Sequence, residues 1–546
     1  MTQSSTRRKK RNIEARRASP SSDEKLVGAR TNKIGRFDRW HWAAGCVLAA
    51  AAVLRLVLVD LKPLHHDEGV NGLFLTSLFR NGYYHYDPSN FHGPTLYYFG
   101  WITTTINSFF YGKGGLSTFA IRLVTVLFGI GIVWLILCLR RQLGDFGALA
   151  AAALVAVSPG MVFFSRYFIH EILFVFFSLG VVVAVLRFKE TAQPRYLLLA
   201  SLSAALLCAT KETWIITIAV WLIAIPCTTA YLRLRTTPAE TKARDPRREL
   251  KQSTPSGKSE SAAGRGWTGL RLYAAATLLF AAVWVLFYSS FFTNFPAGVY
   301  DSVRTFSYWF KTGESSPHAS SLTTYSVWLL REEAPTLILG TIGLIIALVE
   351  ATNRFVVFVA FWSLGILAAY SLVSYKTPWC ALNMVLPLAM MSGYGLEQLY
   401  RRIPSLAMSA ITIAVGFSLY QAVDLTFFHY DDDNKKYVYV YAHTKRDFLS
   451  LINEIESIAA GNPAGKDIGI VVMSPEHWPL PWYLRDYTHA GYWGKVIETT
   501  EPILIVREDQ VREVEQTLGG KYRLISIHDL RPGVRLYLYL RQDLQP

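Results

Sequence analysis

Charge is scarce in this chain. Only 17% of its 546 residues are Asp, Glu, Lys or Arg, against about a quarter in a soluble domain. Hydrophobic residues make up 51% and the mean hydropathy is +0.24. They cluster in runs near the length that crosses a bilayer. A soluble enzyme is excluded, and a polytopic membrane protein is expected. Cysteine is also sparse. Cys46, Cys138, Cys208, Cys227 and Cys380 all lie in or at the ends of apolar segments, and none forms a CxxC pair. They read as small buried hydrophobes, not as a disulfide framework or a zinc site. No nucleotide-binding glycine loop is present. Very few acids stand in the middle of the apolar runs, which ranks an ion-coupled transporter last. The short charged region of a cleaved signal peptide is missing too, so residues 42–60 read as an uncleaved first span.

What charge there is falls in two blocks. Residues 1–41 hold 12 Lys/Arg against 4 Asp/Glu, and residues 232–271 hold 10 against 4. Together they supply nearly all of the net +15. Both are polar and aperiodic, which predicts a disordered tail and a disordered loop. Beside membrane spans, basic segments mark the cytoplasmic side and do not call for nucleic acid. The flanking Arg140–Arg141, Arg187, Lys189, Arg354 and Arg401–Arg402 then orient about eleven spans: 42–60, 118–139, 146–164, 171–186, 196–210, 213–231, 272–292, 335–350, 355–373, 379–397 and 405–424. The segment 94–110 is apolar but short, with Thr and Asn in its middle, and reads as an interfacial or re-entrant helix. On this topology the N-terminus is cytoplasmic in the plasma (inner) membrane. Residues 61–117 form an outer loop, and residues 425–546 lie outside.

The fold class expected is an α-helical polytopic membrane protein with a membrane domain over 42–424 and a small C-terminal extracytoplasmic α/β domain over 425–546. In the latter, "KYVYVY", "DIGIVVM", "PILIVR" and "VRLYLYL" read as strands. "RDFLSLINEIESIAA" and "DQVREVEQTLGG" show helical spacing.

Chemistry is expected at the outer ends of the spans. "PLHHDEGVNGLF" sets Asp67 and Glu68 beside His65 and His66 just after the first span. An Asp there could simply cap the following helix, but ionisable groups at a membrane boundary are costly and more often functional. The second outer turn, "SRYFIHE", adds Arg166, His170 and Glu171. Two acids and a cation meeting at membrane level suit a sugar transfer: a carboxylate takes the acceptor proton and a cation or metal balances the departing phosphate. Arg331–Glu332–Glu333 read as a solvated turn and Lys211–Glu212 as an interfacial pair. Trp478, Trp482, Tyr483 and Tyr487 suit a sugar, a membrane interface or core packing equally. Tyr86, Tyr97 and Tyr98 suit a sugar or the headgroup belt.

The order of features, "HHDEG", "RNGYYHYDPSNFHGPTLYYFGW", "FAIRLVTVLFG", "SPGMVFFSRYFIHEILFVFF" and "SYKTPWCALNMVLPLAM", resembles the GT-C superfamily of membrane glycosyltransferases, in its protein-mannosyltransferase and aminoarabinose-transferase branch. The pairing of "HHDEG" with "FHGP" is closer still to a small family of flippase-activity-associated membrane proteins. The resemblance implies a transferase that moves a sugar, with inversion, from a polyprenyl-phosphate-linked donor to a protein, lipid or glycan acceptor. It puts Asp67 in the place of the catalytic base, with Glu68 as the second member of the pair and Glu171 as the second-loop acid. His92, Arg122, Arg166 and Lys376 fall to substrate binding. A divalent metal on Asp67, Glu68 or Glu171 is the one cofactor implied. His92-Gly93-Pro94 stands where aminoarabinose transferases show Lys-Pro-Pro. The alternative is a non-catalytic partner or flippase component that binds lipid-linked sugars on the same scaffold.

Overall fold

The structure, a computed structural model, describes residues 38–90, 92–235, 262–314, 320–432 and 436–544. Most of the expected tail (1–37) and loop (236–261) lies outside the described residues. The borders of the two segments are helical: the first helix starts at Arg39, one helix runs to Arg235 and another begins at Ala262. Apolar residues on both sides of the polar loop carry these helices further than its composition suggested.

The chain divides into two units, Met1–Cys46 and Val47–Pro546. The first is described from Asp38, as the opening of a helix. In the second, every segment expected to span is helical. The helices used below are α1 (Arg39–Leu56), α2 (His66–Asn81), α3 (Thr95–Tyr111), α4 (Thr118–Leu137), α5 (Asp145–Val157), α6 (Pro159–Phe164), α7 (Glu171–Thr191), α8 (Pro194–Cys208), α9 (Trp214–Arg235), α10 (Ala262–Tyr288), α11 (Ala297–Glu314), α12 (Thr324–Glu332), α13 (Ala334–Glu350), α14 (Arg354–Leu372), α15 (Leu382–Arg402) and α16 (Pro404–Val423). Among the described residues, seven helices are long and apolar enough to cross a membrane, or eight if the bent pair α12–α13 is one span. The sequence suggested about eleven. The shortfall has local causes. Ser158 and Pro159 break 146–164 into α5 and α6, and α8 has only 15 residues. Segment 94–110 is helical as α3.

α15 is the central helix, buried along nearly its whole length, and packs on α13 and α5. Small residues permit the close approach: a Cβ on Gly343 would stand 1.9 Å from the Met391 carbonyl oxygen.

The C-terminal segment forms α17 (Phe448–Gly461), β1 (Ile470–Val472), β2 (Ala490–Tyr492), β3 (Ile503–Arg507), α18 (Val511–Leu518), β4 (Tyr522–Arg531) and β5 (Val534–Arg541). The strands make one sheet in the order β2-β1-β3-β5-β4. β1 is parallel to β2 and β3, and β5 is antiparallel to β3 and β4. The buried face of α17 packs on one side of the sheet with Ile470, Val472, Ile503 and Leu538. Three of the four expected strands are present. "KYVYVY" is not one: the Val438 N–H donates to Glu332 at 2.8 Å, so its backbone bonds the membrane domain instead of a ladder. β2 and β4 were not foreseen.

Candidate active site

α1 ends at Leu56, where its last carbonyls need partners. Arg166 supplies them, donating to the carbonyls of Leu54, Arg55, Val57 and Leu58. Arg55 does the same for α5, donating to the Val155 and Ala156 carbonyls at 3.1 and 2.9 Å. Guanidinium groups at helix C-termini also face the negative end of the helix dipole. Arg166 therefore fixes the first loop by its end.

His65 caps α2. Its Nδ1 accepts the Asp67 N–H at 3.1 Å, and Glu68 Oε2 accepts the His65 N–H at 3.0 Å. Glu68 is wholly buried. Its two oxygens take Arg122 Nε at 2.8 Å and Nη2 at 2.7 Å, and Oε1 also accepts the Phe168 N–H at 2.8 Å. Arg122 uses its other donors on the carbonyls of Val59, Lys62 and Pro63. Burial opposes ionisation of Glu68, but the Arg122 charge and hydrogen bonds outweigh it and hold the carboxyl below its usual range. The pair is a clamp that folds residues 59–68 onto α4.

Asp67 points elsewhere. It is half-buried, and its carboxylate has no side-chain hydrogen bond among the described residues. Its charge acts on the phenols of Tyr375 and Tyr441. Burial, and then Asp67, push the Tyr375 phenol up to about 12.

The turn 165–171 is the other wall, and nearly every residue in it has a task. The Tyr167 ring lies beneath Lys62 Nζ at 3.0 Å. The Phe168 carbonyl accepts Asn71 Nδ2 at 2.9 Å, and Asn71 Oδ1 accepts the Tyr97 hydroxyl at 3.1 Å. His170 Nε2 lies 3.0 Å from the Gly93 carbonyl oxygen. Glu171 pairs with Lys211, both buried, and lies 3.5 Å from Cys380 Sγ.

Lys211 and Glu212 are thus part of the centre and not an interfacial pair. Their turn bonds to residues 92–95: His92 and Lys211 form an isolated β-bridge, the Gly93 N–H donates to the Thr210 carbonyl at 3.0 Å, and His92 Nδ1 meets Glu212 at 3.0 Å. A Cβ on Gly93 would stand 2.1 Å from the Ala209 carbonyl oxygen, so the glycine permits the contact. Lys376 is turned away, donating to the carbonyls of Tyr370, Ser371 and Val373 at the end of α14.

Three buried polar atoms around His65 have no hydrogen-bond partner among the described residues: Lys62 Nζ, the Tyr167 hydroxyl and His443 Nε2. Burial, with Arg122 next, pushes Lys62 well below the usual lysine range. Sequence reasoning missed Lys62, Lys211, Glu212 and His443. A signal for Lys211 existed, since each buried acid of an outer turn needs a cation from another one. The reading of Glu332–Glu333 as solvated is corrected as well. Both are buried, and Glu333 accepts Ser158 Oγ at 2.7 Å and the Gly160 N–H at 2.8 Å.

The C-terminal segment closes over this group. Tyr483 OH accepts the Leu64 N–H at 3.0 Å, Thr444 Oγ1 donates to the Leu64 carbonyl at 2.7 Å, and Arg531 Nη1 reaches His66 Nδ1 at 3.2 Å. Pro479 and Trp482 sit on Gly69 and Gly72, one turn apart on α2. A Cβ there would meet Pro479 Cβ at 2.7 Å and Trp482 Cε3 at 2.5 Å. Trp482, Tyr483 and Tyr487 are therefore packing and docking residues.

Among the described residues no group of three His, Cys, Asp or Glu could hold an ion, and Glu68 and Glu171 are each neutralised by a buried cation.

Residues 92–237 match the family model described as dolichyl-phosphate-mannose-protein mannosyltransferase. No curated protein matches the chain. Among solved structures, ArnT from Cupriavidus metallidurans bound to undecaprenyl phosphate is similar with TM-score 0.60 and 14% identity, over 92% of this chain and 98% of that one. The same protein in its apo state gives TM-score 0.59 and 14% identity over 90% and 97%. The chain shares the fold of these ArnT structures.

Proposed function

We propose that this protein is a membrane glycosyltransferase that moves a sugar from a polyprenyl-phosphate-linked donor to an acceptor hydroxyl at the membrane face carrying Asp67. One observation carries the reading: of the acids gathered there, Glu68 and Glu171 are bound to buried cations and Glu212 to His92, and Asp67 is the carboxylate left with an open edge. The matched mannosyltransferase model and the undecaprenyl phosphate named with the ArnT structure support a lipid-linked donor.

Asp67 accepts the proton of the acceptor hydroxyl as its oxygen attacks the anomeric carbon. The bond from that carbon to the phosphate oxygen breaks, and polyprenyl phosphate leaves from the opposite side, so the configuration inverts. Of the cations expected at the phosphate, Arg122, Arg166 and Lys376 hold backbone carbonyls. His92, with about 30% of its side chain exposed, is the group assigned to the phosphate. Glu171 and Lys211 hold the wall behind it. The basic flanks favour a cytoplasmic N-terminus and an outward site.

The test is transfer of radiolabelled sugar from polyprenyl-phosphate donors to envelope fractions by protein in nanodiscs. Loss of a general base costs about 10²–10⁴-fold, so Asp67→Asn should lower turnover by that much while donor binding persists. Full transfer by an Asp67→Asn, Glu171→Gln double variant would instead favour a partner or flippase component that only binds lipid-linked sugars.

A further inference from the structure

A row of rings runs from the edge of the C-terminal sheet to the residue next to Asp67. Tyr492 closes the edge strand β2. Its ring centroid lies 5.2 Å from His477, His477 lies 5.6 Å from Trp478, and Trp478 lies 6.1 Å from His66. All four side chains are partly buried and none is closed off entirely. Beside the row, Arg531 pairs with Glu476 and also contacts His66. His477 and Trp478 stand outside the apolar clusters of the sheet, while Tyr492 packs against one of them.

We infer that this row is the binding surface for the acceptor, and that the acceptor is a glycan chain. The inference rests on the transferase reading above. Aromatic faces bind the apolar C–H faces of sugars, and the imidazoles, the Arg531 guanidinium and the Glu476 carboxylate offer donors and acceptors to hydroxyls. Rings repeating every 5 to 6 Å can meet successive units of a linked sugar chain. A lipid acceptor would call for a continuous apolar surface, and here the rings alternate with charged and polar groups. Because the row ends at His66, a chain laid along it presents its terminal hydroxyl to Asp67. The C-terminal domain then chooses the acceptor, while residues 62–212 hold the donor and the base.

The test is calorimetric titration of the full-length protein in nanodiscs with mannohexaose, maltohexaose and chitohexaose. At least one should bind. His477→Ala and Tyr492→Leu should each weaken that binding roughly tenfold, the loss of about one stacking contact, and His477→Ala should do so with unchanged thermal unfolding. His477→Phe should restore it. Trp493→Ala, at an exposed tryptophan outside the row, should bind like the wild type. Asp67→Asn should also bind normally, since the base is not the platform. Failure of all three sugars to bind, or equal binding by His477→Ala, overturns the inference. A wild type that binds a hexasaccharide on this row yet transfers nothing upholds the row and overturns the transferase reading.

Discussion

Arg122 grips Glu68 through two parallel hydrogen bonds of 2.8 and 2.7 Å, with neither side chain exposed. Such a fork is the strongest form of the Arg–carboxylate pair. It turns one member of the acidic pair into a fastening and leaves the other free to react.

That division predicts opposite phenotypes for neighbouring acids. Glu68→Gln leaves Arg122 buried without a counter-charge, and breaking a buried pair costs roughly 3–5 kcal/mol. Thermal unfolding in detergent should fall sharply, and activity should fall with it. Asp67→Asn should leave the melting temperature where it was. Equal melting temperatures for the two variants would refute the assignment.

The Glu171–Lys211 pair should behave as a unit. Each single variant, Glu171→Gln or Lys211→Met, strands a buried partner. The double variant should lose less stability than the two singles added together, by roughly 0.5–3 kcal/mol of coupling. Strict additivity in a double-mutant cycle would show that the two groups do not interact.

Gly93→Ala tests the seam between the outer turns. The added Cβ would meet the Ala209 carbonyl oxygen at 2.1 Å, and overpacking of this kind costs typically 1–3 kcal/mol. Lower thermal stability is expected, with a larger loss of transfer than of folded protein because His92 and Glu212 part. Wild-type melting and transfer would argue against the seam.

Acid sensitivity should trace in part to Glu212. Burial disfavours its charge, but His92 and Lys211 outweigh burial and hold the carboxyl below its unfolded value of 4.5. A depressed carboxyl adds stability that is complete above about pH 4.5 and is lost as pH falls through the folded value. Glu212→Gln should be less stable than wild type near neutrality, and the gap should close as pH drops below 4.5. A gap that is constant with pH would remove Glu212 from the acid response.

Orientation is open to a direct check. A cysteine at Ser457, exposed on α17, should react with an impermeant maleimide in intact cells, and one at Ser256 should not. The reverse pattern would put Asp67 on the cytoplasmic side.

Much was legible in the sequence because it is set locally. Apolar runs near bilayer length made the spanning helices, and strand-period patterns at "PILIVR" and "VRLYLYL" became β3 and β5. Asp67, Glu68 and Glu171 could be named from their places at the ends of apolar runs, whereas Glu212 read as half of an interfacial pair. Which acid stays free could not be, because that depends on pairings between distant residues: Arg122 with Glu68 across 54 positions, Lys211 with Glu171 across 40 and Glu212 with His92 across 120. Periodicity carries no record of such distances. The same holds for "KYVYVY", whose pattern suits a strand but whose backbone is claimed by Glu332, and for Gly69 and Gly72, which look like helix weakeners until Pro479 and Trp482 settle on them. Sequence alone fixed the membrane setting and the candidate groups, since hydropathy and charge are properties of each segment. Tertiary structure decided their roles, since a buried charge must find its partner wherever the fold brings one near.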